Sequence, residues 1–317
     1  MAQENTLHYR FNQYGKRILI NLPVSKKKVY MIASGRSGTT WISEVINYRN
    51  NFRDILEPFR SDRAVFCEGL PKHPYFSSTK DNTYAKKVYR KIMTGRVLDK
   101  WIDRLNTKWF TRKLLIKSIC GHFITDWLID EYPEMKTIYL MRHPFAVAHS
   151  KFKITGQWDP TLMPYIEHEE LIDTYFPAQK EFIKQAHTPF ESFIIGWCIE
   201  NYVGLKQIEG KNVHLITYED FCLEPEKEVK DLFEFINEDF TDKALEQLKV
   251  PSRTTYLKNS DIKTGSSLID GWQRKLSEEE IKSGLKILKM FGMDKIYNES
   301  LTPTLEAVKT LGLPVEV

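Results

Sequence analysis

The stretch Val29-Tyr30-Met31-Ile32-Ala33-Ser34-Gly35-Arg36-Ser37-Gly38-Thr39-Thr40-Trp41 decides how the rest of this chain is read. Its first five residues are apolar and β-rich, the signature of a short buried strand. Gly35 and Gly38 permit a sharp turn. Trp41, Ile42, Val45 and Ile46 then recur at helical spacing. Strand, glycine turn and helix N-terminus together make an anion cradle. The turn aims its backbone N–H groups at one point, and the helix dipole adds positive potential there. Ser37, Thr39 and Thr40 add hydroxyl donors, and Arg36 adds a fork of N–H donors suited to an oxyanion. The same heptapeptide also suits a purely structural turn.

Working outward, Leu114-Leu115-Ile116, Thr137-Ile138-Tyr139-Leu140-Met141 and Val213-His214-Leu215-Ile216-Thr217 read as further strands. Helical patterns lie between them. One carries Phe123, Trp127, Leu128 and Tyr132, one follows Pro144, and one runs over about 189–208. Others span 225–236 and 241–249, and a last one opens on a Ser277/Glu280 capping box. Alternating strands and helices predict an α/β fold, a single domain with a mostly parallel central sheet flanked by helices. Such sheets bind ligands at the carboxyl ends of their strands. That puts residues 34–40, 142–150 and those after Thr217 along one edge.

Residues 1–28 read as a polar N-terminal arm, 29–292 as the domain, and 293–317 as a C-terminal tail. Residues 59–112 hold no strong strand signal, only helical stretches around 84–106. Residues 153–187, with Pro160, Pro164 and Pro177, suggest a long loop or lid. Both segments are expected on the acceptor side of the domain.

Bulk properties narrow the class. Of 317 residues, 42% are hydrophobic and 28% charged, which argues against widespread disorder. The net charge of +4 suits a phosphate-bearing ligand and is too small to argue for nucleic acid. Cys67, Cys120, Cys198 and Cys222 lack CxxC spacing or a histidine at metal spacing, so reduced thiols and no metal site are expected. The N-terminus has no apolar signal core, and no window approaches 18 apolar residues. A cytoplasmic chain with no membrane partner is the resulting expectation. Nothing in the sequence speaks to its oligomeric state.

An ATP-binding Walker loop requires G-x-x-x-x-G-K-[ST]. Aligned on Gly38, this chain places Thr39 at the lysine and Ala33 at the first glycine. The charge that neutralises β- and γ-phosphates is missing, which disfavours a P-loop kinase or NTPase.

Gly35-Arg36-Ser37-Gly38-Thr39-Thr40-Trp41 instead resembles the 5′-phosphosulfate loop of sulfotransferases dependent on 3′-phosphoadenosine 5′-phosphosulfate (PAPS). Arginine at position 36 is nearer the carbohydrate and tyrosylprotein members, since cytosolic members usually carry lysine. Arg142 with Ser150, eight residues on, resembles the family's 3′-phosphate motif. Val213–Phe221 resembles the strand and Tyr-Glu-Asp turn that place a tyrosine, here Tyr218, near adenine. Lys263, Ser267 and Trp272 fall in a looser likeness to the late cofactor-covering loop, whose arginine-lysine-glycine run is not reproduced. The resemblance spans about residues 29–292. It implies a P-loop-type fold, PAPS as co-substrate and adenosine 3′,5′-bisphosphate (PAP) as product. The acceptor would be the hydroxyl or amine of a small molecule or carbohydrate. A non-catalytic bisphosphate-binding module is the other alternative.

Sulfuryl transfer is an in-line displacement from a good leaving group, so positioning and charge neutralisation carry it and no metal is required. Arg36 and the loop amides would stabilise the departing 5′-phosphate. Lys117 occupies the family's strand lysine, but Ile119 stands where cytosolic members place their catalytic histidine. Glu57, 21 residues after Arg36 in Leu56-Glu57-Pro58, resembles the glutamate segment of the carbohydrate and tyrosylprotein members. It is the candidate base, with His122 and His149 as runners-up. Trp101, Trp109, Phe152, Trp158, Tyr165, Tyr175 and Phe176 are candidates for lining the acceptor pocket or for packing beneath it.

Overall fold

In this computed structural model the described residues are 27–108, 111–155, 161–253 and 268–304. Most of the polar arm, Trp109, Trp158, Lys263, Ser267 and the tail beyond 304 lie outside them. The first elements are β1 (Lys28–Ile32), α1 (Thr39–Ile46), β2 (Phe52–Leu56), α2 (Thr83–Met93), β3 (Lys113–Ser118) and α3 (Thr125–Glu131). Then follow β4 (Lys136–Met141), α4 (Pro144–Thr155), α5 (Met163–Ile166), α6 (Glu169–Tyr175), α7 (Lys180–Lys184) and α8 (Pro189–Ile208). The chain continues through β5 (Val213–Thr217), α9 (Tyr218–Leu223), α10 (Pro225–Phe235), α11 (Asp242–Leu248) and α12 (Glu278–Met290).

The five strands form one all-parallel sheet in the order β2-β3-β1-β4-β5. Successive side chains of a strand point to opposite faces. Thus Val29 and Met31 of β1 join one core with Leu115, Ile138, Leu140 and Ile216, covered by α1, α10 and α11. Tyr30 and Ile32 join the other with Ile116, Tyr139 and Met141, covered by α2, α4, α8 and α12. Both faces are dry, which is why the strands read as continuous apolar runs. The centre of the sheet is β1, with β3 on one side and β4 on the other. The connection from β3 to β4 passes over it, so the strand order reverses there and a crevice opens at the carboxyl ends.

The structure adds one strand that the sequence reading did not name and corrects one expectation. β2 is a full strand, paired with β3 from Phe52↔Lys113 to Leu56↔Lys117. Its pattern is broken by Arg53, whose guanidinium is paired, and by Asp54, whose backbone is bonded while its buried carboxylate oxygen Oδ1 has no hydrogen-bond partner. Arg53 donates from Nε and Nη2 to the carboxylate of Asp103 at 2.8 and 2.9 Å, and Asp54 exchanges two backbone bonds with the Asn106 amide. Second, the stretch read as a loop or lid is largely helical. It packs Tyr165, Leu171, Ile172, Phe176 and Ile183 into the core. Pro164 sits in the first turn of α5, where its missing N–H costs nothing. Among the described residues of 59–112, α-helix is confined to α2, with a 3-10 turn at Val65–Cys67 and turns and irregular chain between Thr94 and Leu105. The two strongest helix starts are capping boxes, Thr188/Glu191 on α8 and Ser277/Glu280 on α12.

Candidate active site

The turn after β1 ends in Gly38, the N-cap of α1, with φ of 89°. A left-handed N-cap without a side chain leaves the first-turn N–H groups of α1 to an outside acceptor. Arg36 also has positive φ, at 77°. A non-glycine residue in that region stores about 1–2 kcal/mol of strain, and such outliers gather at ligand-gripping loops. The Ser37 hydroxyl is buried and has no hydrogen-bond partner. The ring of Tyr218, the first residue of α9, closes one side of the turn. A Cβ on Gly38 would stand 2.6 Å from Tyr218 Cδ2. Gly38→Ala therefore meets both an unfavourable φ and a clash. We expect about tenfold weaker PAP binding and a lower Tm, since an αL alanine costs about 1–2 kcal/mol. Isothermal calorimetry and a melting curve check this, and unchanged affinity would remove Gly38 from the cradle.

β4 lies beside β1, about 5 Å away, and its C-terminal turn delivers Arg142. The guanidinium lies over the Tyr218 ring at 3.9 Å from the centroid. Its Nη1 donates to the Arg36 carbonyl at 3.1 Å, while its Nε is buried and unbonded. Ser150, two turns into α4, accepts a bond from Arg36 Nε at 3.1 Å. The turn, Arg142 and Ser150 thus form one contiguous surface at the crevice. Its buried Ser37 Oγ and Arg142 Nε are suited to phosphate oxygens.

Two tryptophans named from the sequence serve as packing. Trp41 is buried, donates to the Leu248 carbonyl at 3.0 Å, and lies 5.3 Å from the Tyr218 ring. Trp272 is buried and stacks on His143 at 4.4 Å. His143 Nδ1 accepts from the Phe145 amide at 3.2 Å, so its Nε2 carries the proton and donates to the Asn298 carbonyl at 3.0 Å. Its amide donates to Glu219 Oε1 at 2.9 Å, and Tyr297 donates to the other oxygen of that carboxylate at 3.1 Å. Glu219 organises the Arg142 turn, while the Thr217 hydroxyl caps α9 by accepting from the Asp220 amide.

Burial pushes the His143 imidazole down to about 4 from an ordinary 6.5. A depressed histidine contributes stability that is complete above 6.5 and is lost as pH falls through 4. The full loss is about 3 kcal/mol, at 1.36 kcal/mol per unit. NMR titration is expected to hold the His143 ring neutral to below pH 5, with urea stability declining across that window. A His143 midpoint near 6.5 would contradict this.

On the far side of β1, β3 supplies Lys117 and Glu57 follows directly on β2. Lys117 is fully buried and donates to Thr40 Oγ1 at 2.5 Å, joining the second hydroxyl of α1 to the neighbouring strand. Burial lowers its pKa, opposed by the nearby carboxylates of Glu57 and Asp54. Asp54 is buried too, and burial lifts it to about 6 against the pull of Lys117. The Glu57 amide donates to the Lys117 carbonyl at 2.6 Å, and Glu57 takes a left-handed φ of 46°. Its carboxylate lies 3.6 Å from Arg60 Nη1. Two strand spacings separate β2 from β1, about 10 Å. A carboxylate at that distance leaves room for an acceptor atom between itself and a group held in the turn.

His73, His122 and Glu200, distant in sequence and without motif spacing, come together in the core beside Ser34. Of the aromatics named from the sequence for the acceptor pocket, Tyr165 and Phe176 are buried, Phe152 is exposed, and Tyr175 is partly buried against the core. Trp101 lies under the Arg104 guanidinium at 3.6 Å.

The sequence matches the family described as "Sulfotransferase domain" over residues 26–302. The chain belongs to that family. Solved structures similar to this sulfotransferase include the sulfotransferase domain from the curacin biosynthetic pathway. That likeness has 18% identity and a TM-score of 0.48, covering 84% of this chain and 97% of that one. A mouse sulfotransferase complexed with PAP gives 14% identity and a TM-score of 0.44, with 86% of each chain covered. A sulfotransferase of Mycobacterium avium gives 12% and 0.49, covering 93% of this chain and 82% of that one. Among curated proteins none matches the sequence. Among the described residues of this sulfotransferase, no helix is long and apolar enough to cross a membrane.

Proposed function

We propose that this sulfotransferase moves the sulfuryl group of PAPS onto a hydroxyl or amine of a small-molecule or carbohydrate acceptor. The observation that carries the donor assignment is the joining of two segments more than a hundred residues apart. Arg36 bonds Ser150 and Arg142 bonds the Arg36 carbonyl, each at 3.1 Å, around unbonded donors at Ser37 and Arg142. Adjacent strand ends at about 5 Å spacing suit the two phosphates of one adenosine bisphosphate. The α1 N-terminus and Arg36 take the 5′ side, and Arg142 with Ser150 takes the 3′ side.

Within that reading, Glu57 accepts the acceptor proton as the oxygen or nitrogen attacks sulfur. The S–O bond to the 5′-phosphate breaks in line, and the electron pair departs onto that phosphate. Arg36, the loop amides and the hydroxyl held by Lys117 neutralise it. Thermal shift with PAP against ATP–magnesium tests the nucleotide. Stabilisation by PAP alone is expected, and preference for ATP–magnesium would overturn the assignment. Transfer of labelled sulfate from PAPS to a panel of phenols, alcohols, amines and sugars tests the reaction. Label transfer to none of them, with PAP bound, would favour the non-catalytic alternative.

A further inference from the structure

We propose that His73, His122 and Glu200 form a binding site for one divalent transition-metal ion of the zinc type. His73 lies between the 3-10 turn at Val65–Cys67 and α2, His122 lies in the 3-10 turn after β3, and Glu200 lies mid-way along α8. All three are buried, and one ligand atom from each lies within 4.8 Å of the others. His73 Nδ1, both ring nitrogens of His122 and Glu200 Oε2 have no hydrogen-bond partner. Each such orphan costs about 1–3 kcal/mol in a dry interior, so one ligand atom from each of three residues in one place calls for a common partner.

Size selects that partner. Ligand atoms this close, with no surface open to solvent, leave room for a single atom between them, not for an organic group. Bonds of about 2.0–2.2 Å to zinc would draw the three donors inward by roughly an ångström, within the reach of side-chain rotation. Two imidazoles and a carboxylate suit zinc, cobalt or ferrous iron, whereas magnesium and calcium prefer all-oxygen shells.

The surroundings are arranged to hold the donors. The Tyr165 hydroxyl donates to Glu200 Oε1 at 2.8 Å, and His168 Nε2 donates to the His73 carbonyl at 2.6 Å. Beside Glu200, Asn201 donates to Ser34 Oγ at 2.9 Å, at the entrance to the phosphate turn. A bound ion would tie the acceptor-side segment, the end of β3 and α8 together directly behind that turn. Lys151 also faces Glu200, and its charge opposes a dication. Lys151→Ala is therefore expected to tighten metal binding, an effect that simple loss of packing would not give.

The test uses the full chain, stripped with chelator, dialysed, and titrated separately with Zn²⁺ and Co²⁺. We expect one equivalent of zinc by mass spectrometry of the metal. With cobalt we expect the visible absorption of a low-coordinate site. Both should be lost in His122→Ala and Glu200→Gln. Wild-type protein with less than a tenth of an equivalent and no cobalt absorption would overturn the proposal and leave water as the occupant. So would full stoichiometry retained in both variants. Should either variant fail to fold, His73→Gln and the wild-type cobalt spectrum decide. The readout is metal content, so failure here leaves the sulfuryl-transfer reading untouched.

Discussion

Glu57→Gln is expected to lower turnover about 100-fold or more while PAP affinity stays unchanged, the usual effect of losing a positioned base. Glutamine keeps the length of the side chain and tolerates the same left-handed backbone, which is already in place at φ 46°. It also keeps a carbonyl oxygen facing Arg60, 3.6 Å from the present carboxylate. What it loses is the capacity to take a proton. The site offers no simple substitute. The position after β3 that would carry a histidine in cytosolic members holds Ile119. His122 on the adjoining turn is buried in the His73–Glu200 cluster. Lys117, the β3 lysine beside Glu57, is engaged with Thr40. Single-turnover transfer with labelled PAPS separates the chemical step from product release, and the loss should fall on the former. Activity within a factor of three of wild type would remove Glu57 from the mechanism and return attention to the histidines.

What the sequence discloses and what it hides follow a physical division. β1, β3 and β4 are buried on both faces and β5 is buried at its carboxyl end, so their apolar runs stand out, and the glycine turn marks the carboxyl edge of the sheet. β2 is equally a strand, yet its middle residues are Arg53 and Asp54. Asp103 pairs with Arg53 and Asn106 bonds the Asp54 backbone, each some fifty residues away, and no local pattern shows such a partner. α5, α6 and α7 have four, seven and five residues. Helices that short complete too few turns for a 3.6-residue period to emerge, and tertiary packing makes them helical. In the candidate site, Gly38, Arg36 and Arg142 are legible because each stands at the end of a recognisable strand. The direct bond between Arg36 and Ser150 is not legible, because it depends on how α4 leans over the turn. The inward placement of Trp41 and Trp272 is hidden for the same reason. An aromatic ring after a phosphate turn reads alike whether it faces ligand or core. The meeting of His73, His122 and Glu200 leaves no trace in spacing at all.

Arg142→Ala is expected to weaken PAP binding by about 1.5–3 kcal/mol, roughly 10- to 150-fold, as for a lost charge-assisted bond. The guanidinium does little else. It makes one bond of 3.1 Å to the Arg36 carbonyl, a weak approach of 3.5 Å to Leu268, and a stacking contact on Tyr218. Its Nε, although buried, is bonded to nothing. Loss of the stacking contact costs about 0.5–2 kcal/mol of stability, so a folded variant is expected. Lysine would restore charge without the fork and should recover only part of the affinity. The decisive comparison pairs the mutation with a change of ligand. Wild type should prefer PAP over adenosine 5′-monophosphate, which lacks the 3′-phosphate, and Arg142→Ala should abolish most of that preference. A general loosening of the crevice would weaken both nucleotides alike and leave their ratio intact. Calorimetry on the four combinations therefore isolates the interaction between Arg142 and the 3′-phosphate. An unchanged ratio would mean that the end of β4 reads some other part of the nucleotide.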